Sequence, residues 1–135
     1  MKVLVDTSVW SLAFRRISTT EPLHESVIRL DALLGKADIV LVSVVLQEVL
    51  QGFRDDRSFR KVARALDPFA LLPLSHEDHS SAARLHRTCA AAGAAASTID
   101  CLIASAAISH KCALLTADRD FERIARNSAL RLVSY

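Results

Sequence analysis

Residues 2–10, KVLVDTSVW, decide how the rest of the chain is read. Lys2–Val5 is a short run rich in β-branched residues, which suits a buried strand. Asp6 ends it abruptly. Thr7–Phe14 then reads as a helix, with Val9, Trp10, Ala13 and Phe14 as its apolar residues. Asp6 is therefore a carboxylate at the exit of a buried strand, where its desolvation is costly unless a cation or hydrogen-bond donors meet it.

Three more acids share this setting. Asp118 follows the apolar run Cys112–Leu115, Asp100 is the one charge in STIDCLIASAAIS (Ser97–Ser109), and Glu48 lies in a segment rich in Val and Leu. Singly, each has an ordinary explanation. Asp6 and Asp118 each precede a helical segment and could be N-caps. Asp100 could be a first-turn acid favoured by the helix dipole, and Glu48 a solvated helix residue.

The remaining elements follow from apolar period and punctuation. Strands are expected at Ile39–Val42, Phe69–Leu72, Cys112–Thr116 and Leu130–Val133. Helices are expected at Pro22–Leu34, from a Ser43 cap to about Phe53, and at Asp56–Leu66, His76–Ala92, Thr98–His110 and Phe121–Arg126. Gly35 stops the second helix and Gly93 separates two later ones. Short apolar strands alternating with helices imply a mostly parallel sheet covered on both faces, an α/β/α sandwich. Residues 1–135 read as one domain, with no repeat and no linker.

In such a sheet, ligands bind beyond the carboxyl ends of the strands. Asp6 and Asp118 each follow a strand, and Glu48 lies in the second turn of the helix leaving another. Asp100 to His110 spans ~15 Å of helix. Cys112 to Asp118 spans ~20 Å of extended chain. The join between them is tight, so Asp100 should return to the level of Asp118. Carboxylates sharing one crevice raise each other's pKa. Their hard oxygens suit Mg²⁺ or Mn²⁺, ions that orient and acidify water and stabilise phosphoryl charge.

The strings VDTSVW (5–10), DCLIASAA (100–107) and LLTADRDF (114–121), with the spacing from Ser43 to Glu48, resemble the PIN-domain ribonucleases, in particular VapC-type toxins of toxin–antitoxin pairs. The resemblance covers nearly the whole chain. It implies a Rossmann-like fold and Mg²⁺- or Mn²⁺-dependent RNA hydrolysis leaving a 5′-phosphate and a 3′-hydroxyl. It assigns Asp6, Asp100 and Asp118 to the principal metal and makes Glu48 a residue that tunes that ion or helps hold a second. Thr7, Ser8 and Thr116 match small hydroxyl positions lining such sites, whereas the role of Asp120 is left open. It also implies a homodimer silenced by a VapB-type antitoxin whose tail lies in an apolar groove. Trp10, Phe14, Leu46, Leu50 and Phe53 are candidates for that groove, or else ordinary core.

Composition sets bounds around this. Of 135 residues, 51% are hydrophobic and the mean hydropathy is +0.25, apolar enough to suggest surface hidden against partners. A net charge of +2 is too small to argue for nucleic acid by itself. A local stripe on Asp56–Leu66, Arg57, Arg60, Lys61 and Arg64, could hold an RNA backbone or simply be a solvated face beside Asp55 and Asp56. Cys89, Cys101 and Cys112 have no CxxC spacing and read as core thiols in a reducing compartment. No secretory signal or membrane-spanning run is visible, so a cytoplasmic location is expected.

His76 and His79 form an HxxH pair, with His86 further on, but they lack a well-spaced third zinc ligand. Glu77 and Asp78 between them suit the positive end of a helix. Competing functions are weaker. An aspartyl-phosphate enzyme would want an acid where Ser8 stands and a lysine near Arg119. A catalytically inactive RNA- or partner-binding module would have less need of the four acids.

Overall fold

The computed structural model describes residues 1–15 and 21–135. Four strands, β1 (Lys2–Val5), β2 (Asp38–Leu41), β3 (Ala70–Leu71) and β4 (Ala113–Leu115), form one parallel sheet in the order β3-β2-β1-β4. The helices are α1 (Thr7–Phe14), α2 (Glu25–Leu33), α3 (Ser43–Gln51), α4 (Asp56–Leu66), α5 (His76–Ala91), α6 (Thr98–Ser109) and α7 (Asp120–Arg126).

Strand order dictates the layers. The path β1 to β2 to β3 moves one way across the sheet, and the return to β4 moves the other way. Right-handed crossovers then place α1–α4 on one face and α5 and α6 on the opposite face. Helix contacts agree: α1 packs on α2 and α3, and α3 on α4, while α6 packs on α5 and α7. This is the expected three-layer α/β/α arrangement. Between the layers Val3, Leu4, Val5, Ile103, Leu114, Leu115 and Phe121 are fully or almost fully buried. The order reverses between β1 and β4, so the crevice for a ligand opens beyond Val5 and Leu115.

Some boundaries differ from expectation, each for a local reason. α2 begins at Glu25 rather than Pro22, because the His24 ring accepts the Ser26 N–H and caps the helix. Val42, not Ser43, holds the N-cap position of α3, and its carbonyl accepts from Val45 and Leu46. The expected strand at Leu130–Val133 is reduced to one bridge, Leu132 to Leu114, fixed by Leu114 N–H to Arg131 O and Val133 N–H to Leu114 O. Gly35 and Gly93 have φ of 80° and 73°, the left-handed values expected where the chain leaves a helix.

The acids in the first turn of α5 have a structural task. Asp78 completes a capping box with Ser75 and also accepts the Ser109 hydroxyl of α6. It is 5% exposed, so these donors replace its lost hydration. The Ser109 bond, with help from Ser75, holds its carboxyl below the usual 3.8 against the opposing cost of burial.

Asp78→Ala should destabilise the protein by about 1–3 kcal/mol, since it leaves Ser109 and the head of α5 short of an acceptor. Because the folded-state pKa is depressed, the carboxylate contributes stability above its unfolded pKa and loses it as pH falls through the lower folded value. The gap between wild type and Asp78→Asn in urea unfolding should therefore narrow on acidification below about 4.

Candidate active site

Asp6 occupies the N-cap position of α1, yet its side chain makes no capping bond. Its Oδ2 instead accepts the Ser8 hydroxyl at 2.6 Å and the Thr116 hydroxyl at 2.7 Å. Both hydroxyls have a second duty. Ser8 Oγ accepts Ala117 N–H (2.9 Å), and Thr116 Oγ1 accepts Asp118 N–H (3.0 Å). With Asp6 N–H on Leu115 O (2.9 Å), these bonds lock the exit of β1 to the loop after β4. Asp6 is 5% exposed, so it forms the floor of the site.

Above it, one carboxylate oxygen each from Asp100, Asp118 and Asp120 lies within 4.8 Å of the other two. Asp100 stands in the first turn of α6, placed by Ser97, whose hydroxyl accepts the Asp100 N–H. Asp118 Oδ1 accepts the Asp120 N–H (2.9 Å) at the head of α7, so its cap-like role and its place in the cluster coexist. Burial first, then the charges of Asp118, Asp6 and Asp120, push the Asp100 carboxyl up to about 6. Among the described residues one cation is ion-paired with the cluster: Arg123, at 3.0 Å from Asp120.

Glu48 stands beside this group rather than within the close triple. Its Oε1 accepts the Thr7 hydroxyl at 3.0 Å, which ties α3 to the residue after Asp6. Thus the fold gathers Asp6, Asp100 and Asp118 with their hydroxyl supports Ser8 and Thr116, and it links Glu48 through Thr7. Asp120, whose part the sequence left open, is a full member of the carboxylate triple. The signal for it was the Asp-x-Asp spacing at the mouth of a helix.

Other candidate positions fall elsewhere. Arg57, Arg60, Lys61 and Arg64 line a separate cleft on α4 that contains none of the acids. Trp10 is 4% exposed, stacks on Phe14 and meets the Phe69 ring at a tilt, so it belongs to the core. Leu46, Leu50 and Phe53 are partly buried against that core. An apolar cleft beside the acids lies between α1 and α2, where Leu12, Arg15, Leu23 and Val27 lead to Asp118.

The donor set fits a hard divalent cation: several carboxylates, unequal in burial, repelling one another and short of positive partners. Such a set on a parallel α/β sheet agrees with the outcome of comparison with known families, in which the PIN domain model matches residues 3–127. The chain belongs to the PIN domain family. Among curated PIN-type relatives, Ribonuclease VapC11 of Mycobacterium tuberculosis and VapC ribonuclease Mb1587 of Mycobacterium bovis are each 30% identical to it over 137 residues, covering 98% of both chains. Among solved structures, VapBC2 from Rickettsia felis bound to a DNA fragment from its promoter contains a chain with TM-score 0.79 and 19% identity, covering 100% of this chain and 99% of that one. FitAcB from Neisseria gonorrhoeae gives TM-score 0.75 and 21% identity over 98% and 96%. At these identities the two structures speak for the PIN fold alone.

The strain in the acidic cluster is measurable. With a folded-state pKa near 6 against 3.8 unfolded, Asp100 lowers stability as pH rises through that interval, and the penalty is complete above it. Asp100→Asn should therefore raise the melting temperature of the metal-free protein at pH 7.5, with little effect near pH 4. Adding Mg²⁺ or Mn²⁺ at pH 7.5 should stabilise wild type more than the variant in the same thermal scans.

Proposed function

We propose that this chain is a metal-dependent endoribonuclease toxin that hydrolyses RNA phosphodiester bonds, and that residues 1–135 constitute one PIN domain. The observation that carries the proposal is the close carboxylate triple of Asp100, Asp118 and Asp120 beside buried Asp6 at the switch point of the sheet, with Asp100 raised to about 6 by burial and then by its acidic neighbours. The 98% coverage by relatives named ribonucleases supports the choice of substrate.

Asp6, Asp100 and Asp118 would hold Mg²⁺ or Mn²⁺, with Asp120 completing the rim and Glu48 adjusting the charge beside them. A divalent ion bound there supplies positive charge to the phosphoryl oxygens and lowers the pKa of a coordinated water. The protein's own part is preorganisation. Ser8 and Thr116 fix the Asp6 carboxylate in orientation by donating to it, and Thr7 does the same for Glu48. Arg123 offsets part of the charge on Asp120. In the reaction, water oxygen bonds to phosphorus as the bond to O3′ breaks, and O3′ takes up a proton.

Partners follow from the same family. A VapB-type antitoxin would silence the enzyme by laying its tail in the apolar cleft between α1 and α2, which ends at Asp118. The chain would act as a homodimer in the cytoplasm; among the described residues no helix is long and apolar enough to cross a membrane.

Purified protein should cleave RNA with Mn²⁺ or Mg²⁺, and lose cleavage with chelator, with added cognate antitoxin, or with Asp6→Asn or Asp100→Asn. Cleavage that survives chelation and both substitutions would refute the proposal. The α4 stripe is assigned to the RNA backbone. Arg60→Glu with Arg64→Glu should weaken RNA binding and flatten its salt dependence; an unchanged salt series would remove the stripe from the substrate path.

A further inference from the structure

A second cleft opens on Asp118 next to the apolar groove, with which it shares His24, Ala117 and Asp118. It encloses about 610 Å³, and His24, Glu25, Arg119, Glu122 and Tyr135 line it. Its two rings are held in place before any ligand arrives. The Tyr135 hydroxyl donates to the Thr116 carbonyl at 2.7 Å, which fixes the phenol against the loop that carries Asp118. The His24 Nδ1 accepts the Ser26 N–H as the cap of α2, which fixes the imidazole and, in the neutral ring, puts the proton on Nε2. The rings meet edge to face, with centroids 6.3 Å apart and planes at 69°. Tyr135 is nevertheless 50% exposed, a large ring left half uncovered at the mouth of the site.

Charge sorts what such a cleft can take. Glu25 and Glu122 lie along its wall and repel phosphate, so the sugar–phosphate chain is kept to the side of Asp118 and Arg119. The Arg119 side chain is 90% exposed, and among the described residues its ion pair is a 3.9 Å contact with Glu122. An uncharged, planar, hydrogen-bonding group meets no such penalty. Fixed aromatic rings beside polar side chains are the usual means of holding a splayed base of single-stranded RNA.

We propose that this cleft is a nucleobase subsite, in which Tyr135 and His24 stack on and orient a base flanking the scissile phosphate. The inference rests on the ribonuclease proposal above and deepens it: Tyr135 and His24 determine where along a strand the cut falls.

The test uses the full chain and a fluorescent single-stranded RNA of mixed sequence, together with copies that carry one abasic ribose on either side of the cut. Tyr135→Ala should raise KM about tenfold, the order expected for one lost base–aromatic stack. Tyr135→Phe, which keeps the ring and loses the bond to Thr116, should raise KM less than Tyr135→Ala does. An abasic ribose on one side of the cut should raise the wild-type KM to a similar extent and add little in Tyr135→Ala. His24→Asn keeps a capping side chain, removes the ring and gives the same readout should Tyr135→Ala fold poorly. Three results would overturn the subsite: unchanged KM in Tyr135→Ala and His24→Asn, an equal loss in Tyr135→Phe and Tyr135→Ala, or weakened antitoxin binding with RNA kinetics intact. A wild-type protein that does not cleave RNA would instead overturn the ribonuclease proposal, and this inference with it.

Discussion

The Thr116 hydroxyl donates a hydrogen bond to Asp6 and accepts one from the Asp118 backbone N–H, so a single side chain registers the exits of two neighbouring strands. Ser8 makes the parallel connection from Asp6 to Ala117. These two relays satisfy a buried carboxylate, because each donated hydrogen bond replaces water it has lost. They also fix the loop from which Asp118 and Asp120 project. A carboxylate cluster that repels itself would otherwise spread apart. Here the backbone beneath it is tied before any cation is present.

The rest of the architecture serves this junction. β1 and β4 are adjacent because the chain reverses its direction of travel across the sheet after β3. That reversal brings α6 back with Asp100 in its first turn, at the level of the strand exits. At the far end of the same helix, Asp78 of α5 grips Ser109. The register of α6 is therefore held from both sides: a capping serine below Asp100 and a buried carboxylate at its last turn.

Much of this was legible in the chain alone, for a physical reason. Asp6, Asp100 and Asp118 are lone charges in apolar surroundings, and an isolated charge that must be desolvated advertises that something compensates it. Matching the length of a helix against that of the following strand was enough to bring Asp100 to Asp118. Asp120 did not stand out because Arg119, Glu122 and Arg123 surround it, so it looks like any solvated helix residue. Trp10, a candidate for groove or core, is core, a distinction composition cannot make because an aromatic that fills the core and one that lines a cleft look alike in sequence. Helix starts slipped where an unusual cap intervened, as at His24. The last strand shrank to a bridge because its pairing is carried by the backbone of Leu114 alone.

The short segment around Leu132 has a consequence for the edges of the sheet. A parallel sheet has two rims, each a row of backbone groups that a foreign strand could join. On one rim β3 is only two residues long; on the other, Arg131 and Val133 already engage both backbone groups of Leu114. Little main chain is left for strand addition on either side, which guards against open-ended stacking.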